Sequence, residues 1–193
     1  NTPKAKETIE YGINRLLSMQ THNGGLGYWP GQSSSDFGSA YGGMVLAIAK
    51  ARGRAVPSRP LDGLRKYLIR FVKKPVNQNW GDHCLALYTL TLLNAPQAAI
   101  HEKAFEQRDK MPESARFLLS MAVAKVGGPN EMIDTLLSRV LDPPEPLGDL
   151  AKKVRWFTGF NLDRCLGSFT HPIVCFALVN SQRFVGRKPF SVI

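Results

Sequence analysis

Three cysteines in 193 residues, Cys84, Cys165 and Cys175, cannot close a complete intramolecular disulfide framework, and none of them forms a Cys-x-x-Cys pair. They read as buried small side chains and identify no redox compartment. No run approaches the ~20 apolar residues that a membrane-spanning helix needs. The N-terminus lacks the basic, apolar and small-residue regions of a signal peptide. A start at Asn1 without Met suits a processed protein or an excised domain. Aromatic residues make up only 9% of the chain and no Asp-x-Asp-Asp sequence occurs, which argues against a cavity that stabilises carbocations. Ser33-Ser34-Ser35 lacks the glycine flanks of a nucleophile elbow and reads as a capping and turn segment. His22 has neither a nucleophile nor a paired acid beside it, so it reads as a surface or loop-bonding histidine.

What is present is an ordinary globular composition, 44% hydrophobic and 21% charged, long enough to bury one sizeable core without disulfides or metals. One domain over residues 1–193 is the expectation. The formal charge of +10 is compatible with nucleic acid, anionic lipid or acidic protein surfaces. Its densest group runs from Lys50 and Arg52 to Lys73 and Lys74, is interrupted by Pro57 and Pro60, and accompanies no nucleic-acid motif. A solvated basic face is the simpler reading.

Apolar residues recur at helical spacing along most of the chain. Ile9, Ile13, Leu16, Leu17 and Met19 predict a buried stripe on a first helix over 4–20. A second runs from about Gly38 to Arg52, with Ser35 or Asp36 as its cap and with Gly42 and Gly43 admitting a close neighbour. Ala55 to Pro60 reads as an extended connector, and a third helix covers 61–72. Asp82 is placed to cap a strongly apolar helix containing Leu85, Leu87, Tyr88, Leu90, Leu92 and Leu93. Further helices are expected from Pro96 to Phe105, from Pro112 to Val126, and from Glu131 to Leu141 behind Asn130. Beyond the Pro143, Pro144 and Pro146 break, 147–157 reads as helix, 173–179 as helix by context with a strand as the alternative, and the tail after Arg183 as irregular. The total is eight or nine helices with no strand alternation. The fold class is all-α, helical hairpins stacked into a ring or superhelix.

The clearest interruption is Asn23-Gly24-Gly25-Leu26-Gly27-Tyr28-Trp29-Pro30-Gly31. Its glycines and proline forbid a regular helix, yet Tyr28 and Trp29 are too large and apolar for a mere spacer. A second aromatic-glycine turn occurs at Trp80-Gly81. Two interpretations of Tyr28, Trp29 and Tyr41 stand: a rim that contacts a partner domain or ligand, or packing of the loop against neighbouring helix ends.

Leu16-Leu17-x-x-Gln20, this glycine loop and Ser39-Ala40-Tyr41 together resemble the thioester-domain region of bacterial alpha-2-macroglobulin-like protease inhibitors. The likeness covers roughly residues 10–75 and becomes a general helical likeness thereafter. It implies an α/α toroid, or an open part of one, within a larger chain. It also implies docking on neighbouring domains, contact with proteases, no cofactor, and a periplasmic, extracellular or envelope setting. The family's reactive thioester needs Cys-x-Glu-Gln. Here the residues three after Cys84, Cys165 and Cys175 are Leu87, Ser168 and Leu178, so this chain cannot form it.

The competing enzyme reading rests on Asp82-His83-Cys84, which resembles part of the zinc site of prenyltransferase β subunits and needs a later ligand, His101 or His171. Asp82 as a helix cap with Cys84 buried is the plainer account, and no catalytic residue is assigned. A divergent prenyltransferase or terpene-cyclase-like enzyme is thus one alternative to the non-catalytic domain, and a free-standing helical-repeat binding module is another.

Overall fold

A helix that is apolar on every side has to sit between layers, and the segment after Trp80 is such a helix. In the computed structural model, which describes residues 3–76 and 79–138, every residue from His83 to Thr91 is buried. The described residues form seven α-helices: α1 (Pro3–Ser18), α2 (Asp36–Ala51), α3 (Ser58–Val72), α4 (Trp80–Leu92), α5 (Ala98–Glu106), α6 (Glu113–Lys125) and α7 (Asn130–Leu137). A 3-10 turn at Arg108–Lys110 separates α5 from α6. No strand is found among the described residues, only the isolated bridges Gln20 to Leu26 and Leu26 to Ser35.

Helix α4 packs most extensively on α6 and on α2, so these three make a central layer. Helix α3 contacts both α2 and α4, whereas α5 and α7 pack on α6 and α1 on α2. Successive hairpins therefore stack sideways around this layer, the all-α, toroid-like arrangement expected from the sequence. The contact between α2 and α4 is close because Gly43 leaves room. A Cβ there would lie 2.8 Å from Leu64 Cδ2 and 3.0 Å from Thr89 Cγ2. The Thr89 hydroxyl uses this approach to donate to the Ala40 carbonyl at 2.9 Å, so the hydroxyl in the middle of the core is paired. Leu46, Leu64, Leu68, Leu87, Leu90 and Leu119 are almost wholly removed from water around it.

Several boundaries differ from the sequence reading. Helix α3 starts at Ser58 rather than Leu61: Pro60 falls in its first turn, where a missing N–H costs no intrahelical bond. The cap of α4 is Asn79, not Asp82. Its Oδ1 accepts from the Asp82 N–H at 3.4 Å, while its Nδ2 donates to Asp82 Oδ2 at 2.6 Å, so Asp82 sits one turn inside as the reciprocal partner. Asn130 is the first residue of α7 and Pro129 its cap. Ser35 caps α2 as expected, its side chain accepting from Gly38 N–H at 3.1 Å. On α1 the stripe is thinner than its spacing predicts: Ile13 is buried and Leu16 and Leu17 partly so, but Ile9 is exposed. The expected helix over 147–157, the segment 173–179, the end of the helix to Leu141 and the tail after Arg183 lie outside the described residues.

Candidate functional site

The loop joining α1 to α2 is built as a small hydrogen-bonded knot. Leu26 is its centre: the Leu26 N–H donates to Ser39 Oγ at 2.8 Å, and the Leu26 carbonyl accepts from Ser35 N–H at 2.8 Å. On either side, Gly27 N–H donates to the Met19 carbonyl at 3.0 Å and Thr21 N–H to the Gly25 carbonyl at 2.8 Å. Asn23 Oδ1 accepts from Gly25 N–H at 3.0 Å while its Nδ2 donates to Ser34 Oγ, also at 3.0 Å. Most backbone N–H groups of 19–27 thus have partners without belonging to a helix or sheet. The Leu26 side chain, 2% exposed, enters the core above Gly42, where a Cβ would come within 2.5 Å of its Cδ1.

Helix α3 clamps this knot, which the sequence did not disclose. Gln20 Nε2 donates to the Pro60 carbonyl at 2.8 Å, Tyr67 OH to Asp36 Oδ1 at 2.6 Å, and Arg70 to the Asn23 carbonyl at 2.7 Å. Gly24 lies directly against the Gly63 backbone. Burial and the adjacent Asp36 carboxylate push the Tyr67 phenol above its ordinary pKa. The available signal was periodicity: Gly63, Tyr67 and Arg70 follow at helical spacing on one side of α3.

Out of this fixed backbone stand Tyr28 and Trp29, 58% and 60% exposed. Tyr41 behaves differently. It is half-buried, raised in pKa by that burial, and stacked on Phe37 with ring centroids 5.9 Å apart and planes 13° from parallel. Phe37, which sequence reasoning passed over, is itself exposed. The three aromatics singled out therefore divide into a free pair at the loop tip and a packed residue on α2.

The second group, on α4, is internal. Cys84 is fully buried, and burial pushes its thiol up to about 12, far from a ready thiolate. Asp82, two residues away on the helix, is engaged with Asn79; side chains two apart do not face each other. His83 packs against Trp80 and Phe71 at centroid distances of 6.1 and 5.9 Å. Among the described residues no group of three or more His, Cys, Asp or Glu side chains is placed to hold a metal ion. His101, on α5, is buried with Nε2 unpartnered; His171, Cys165 and Cys175 lie outside the described residues.

Burial lowers the His101 pKa to about 4 and also lowers that of His83, so the folded state favours neutral imidazoles. The unfolded chain takes up these protons near pH 6.5, and the associated stability is lost as pH falls from there toward 4. The melting temperature is expected to drop between pH 6.5 and 5, above most carboxylate titration, and His101→Gln to flatten that slope. An unchanged slope in the variant would remove His101 from the explanation.

No protein-family model matches the sequence, and a search of curated proteins finds no match. Among solved structures, trypsin-activated alpha-2-macroglobulin from Escherichia coli is similar with a TM-score of 0.63 at 20% identity, covering 97% of this chain and 14% of that one. The native E. coli protein, from its domain MG7 to the C-terminus, gives 0.62 at 20% identity over 70% of this chain and 24% of that chain. A mutant of Salmonella alpha-2-macroglobulin gives 0.62 at 19% identity over 72% of this chain and 10% of that chain. The chain thus shares its fold with a part of bacterial alpha-2-macroglobulins, and spans between about a tenth and a quarter of their length.

Proposed function

We propose that the chain is the thioester-domain-like, non-catalytic helical part of a longer bacterial alpha-2-macroglobulin-like protease inhibitor. It acts by docking on neighbouring domains through the loop between α1 and α2. The observation that carries this reading is the contrast within that loop: its backbone is fixed by Ser39, Gln20 and Arg70, whereas Tyr28 and Trp29 project from it uncovered. A rigid support presenting two large aromatics suits binding, because little side-chain freedom is lost when a partner covers them. The shared fold, and the small share of each similar chain that it occupies, support a reading in which neighbouring domains are the partners. With Cys84 buried and followed three residues later by Leu87, this part contributes contact rather than acyl capture. The setting that goes with this reading is the periplasm or cell envelope, and proteases are the eventual partners of the whole protein.

The open reading frame should continue into flanking β-sandwich domains; a frame confined to this length overturns the proposal. In the full-length protein, Trp29→Ala should weaken docking on the order of thirtyfold, a loss of about 2 kcal/mol typical of a buried aromatic anchor. Limited proteolysis of the domain junctions reads that change, and the melting temperature of the 193-residue chain should stay nearly constant. Unaltered junction cleavage would overturn the role of the loop.

A further inference from the structure

Helix α3 is the most strongly two-sided surface of the described residues. Leu61, Leu64, Leu68 and Val72 are buried against α2 and α4. Opposite them, Arg59, Asp62, Lys66, Arg70 and Lys73 are exposed. At 100° per residue these five positions fall within an arc of about 80°. From Arg59 to Lys74 the chain carries six basic side chains and one acid, a net of five positive charges, half of the formal +10. The sequence reading treats this as a solvated face. The fold adds that it lines one outer helix, about 22 Å long at 1.5 Å per residue. Arg70 ties its C-terminal end to Asn23 of the loop that bears Tyr28 and Trp29.

We infer that the outer face of α3 associates with the surface of an anionic phospholipid bilayer. Charge complementarity selects the occupant: Arg59, Lys66, Arg70 and Lys73, aligned along one exposed face of α3, match a flat sheet of phosphates, and the Asp62 among them is paired with Arg65 at 2.8 Å. Apart from Arg70, whose guanidinium holds the loop, the ammonium and guanidinium groups of the row are free to face that sheet. Tyr67 and Phe71, which alternate with them in sequence, are partly buried and engaged with Asp36 and His83, and no amide side chain is interleaved, whereas base recognition would want an open stacking platform. No described helix is long and apolar enough to cross a bilayer, so the association is peripheral and electrostatic. This inference goes beyond the docking proposal and stands without it.

The test is co-sedimentation of the chain with vesicles of equal parts phosphatidylglycerol and phosphatidylcholine, against vesicles of phosphatidylcholine alone. Wild type should bind only the anionic vesicles and be released by salt as the charges are screened. Arg59→Gln, Lys66→Gln and Lys73→Gln combined should weaken binding about 100-fold, at roughly fivefold per cation. The triple variant Lys103→Gln, Lys110→Gln and Lys125→Gln removes the same charge from α5, the 3-10 turn and α6, and should cost no more than about fivefold by the same scale. Equal losses in the two triples would reduce the effect to net charge and overturn the inference, as would equal binding to phosphatidylcholine. Tighter binding of a duplex DNA oligonucleotide with the same dependence on α3 would also overturn it, giving this face to nucleic acid.

Discussion

Leu26→Ala is expected to lower the unfolding free energy by about 2–5 kcal/mol, the range for truncating a fully buried leucine. At roughly 2–4 °C per kcal/mol for a chain of this size, the melting temperature should fall by about 4–20 °C. The effect is large because three losses coincide. The side chain is 2% exposed, so its transfer energy is lost in full. The gap lies over Gly42, which has no side chain to relax into it. The same residue's backbone N–H and carbonyl hold Ser39 and Ser35 at the start of α2, so any collapse of the loop toward the gap strains those bonds. Denaturant unfolding with an unchanged slope would read the loss directly. A cost below about 1 kcal/mol would mean that Leu26 is not an anchor of the fold.

Gly24→Ala should be the second severe change, and Gly31→Ala its control. Both glycines are in the left-handed region, at φ +90° and +81°, so each alanine suffers a conformational cost of order 1–3 kcal/mol. Only at Gly24 would the new Cβ meet backbone, that of Gly63 on α3; around Gly31 nothing lies within 4 Å. A clash with backbone cannot be relieved by a rotamer change. Gly24→Ala should therefore exceed Gly31→Ala by at least about 1–3 kcal/mol, the usual cost of forcing extra volume into a packed contact. The loosened loop should also show faster cleavage near Asn23. Equal losses for the two variants would contradict the glycine-to-glycine contact between the loop and α3.

The helices were legible because their cause is local. Heptad-like spacing of Leu64 and Leu68, or the all-round apolarity of 83–91, determines what a segment must bury before any partner is known. The small residues were legible too, since Gly42 and Gly43 in a helix imply a close neighbour. Asn79 was missed as a cap because Asp82 is an equally good capping type and only the backbone direction at Trp80 distinguishes them. Ile9 was overread: its spacing fits a stripe, but burial needs a surface to pack on, and α1 receives one only around Ile13. The three-dimensional part of the candidate site was least accessible. That Tyr67 grips the first residue of α2, 31 positions earlier, and Arg70 the loop at Asn23, 47 positions earlier, follows from the antiparallel placement of α3 beside α2, which no local pattern encodes. Aromatic identity alone did not separate Tyr41, stacked on Phe37, from the uncovered Tyr28 and Trp29.

The side-chain bond from Gln20 to Pro60 has a mechanical consequence. Gln20 is the first residue past α1 with a firm hold on another helix, and α1 itself is seated mainly through Ile13. A pull transmitted along the chain from the N-terminal side would unwind α1 and then meet resistance at Gln20, where part of the load passes sideways into α3. Because Met19 also holds Gly27 and Arg70 on α3 holds Asn23, the base of the aromatic tip then moves with α3 as one body instead of stretching along the glycines.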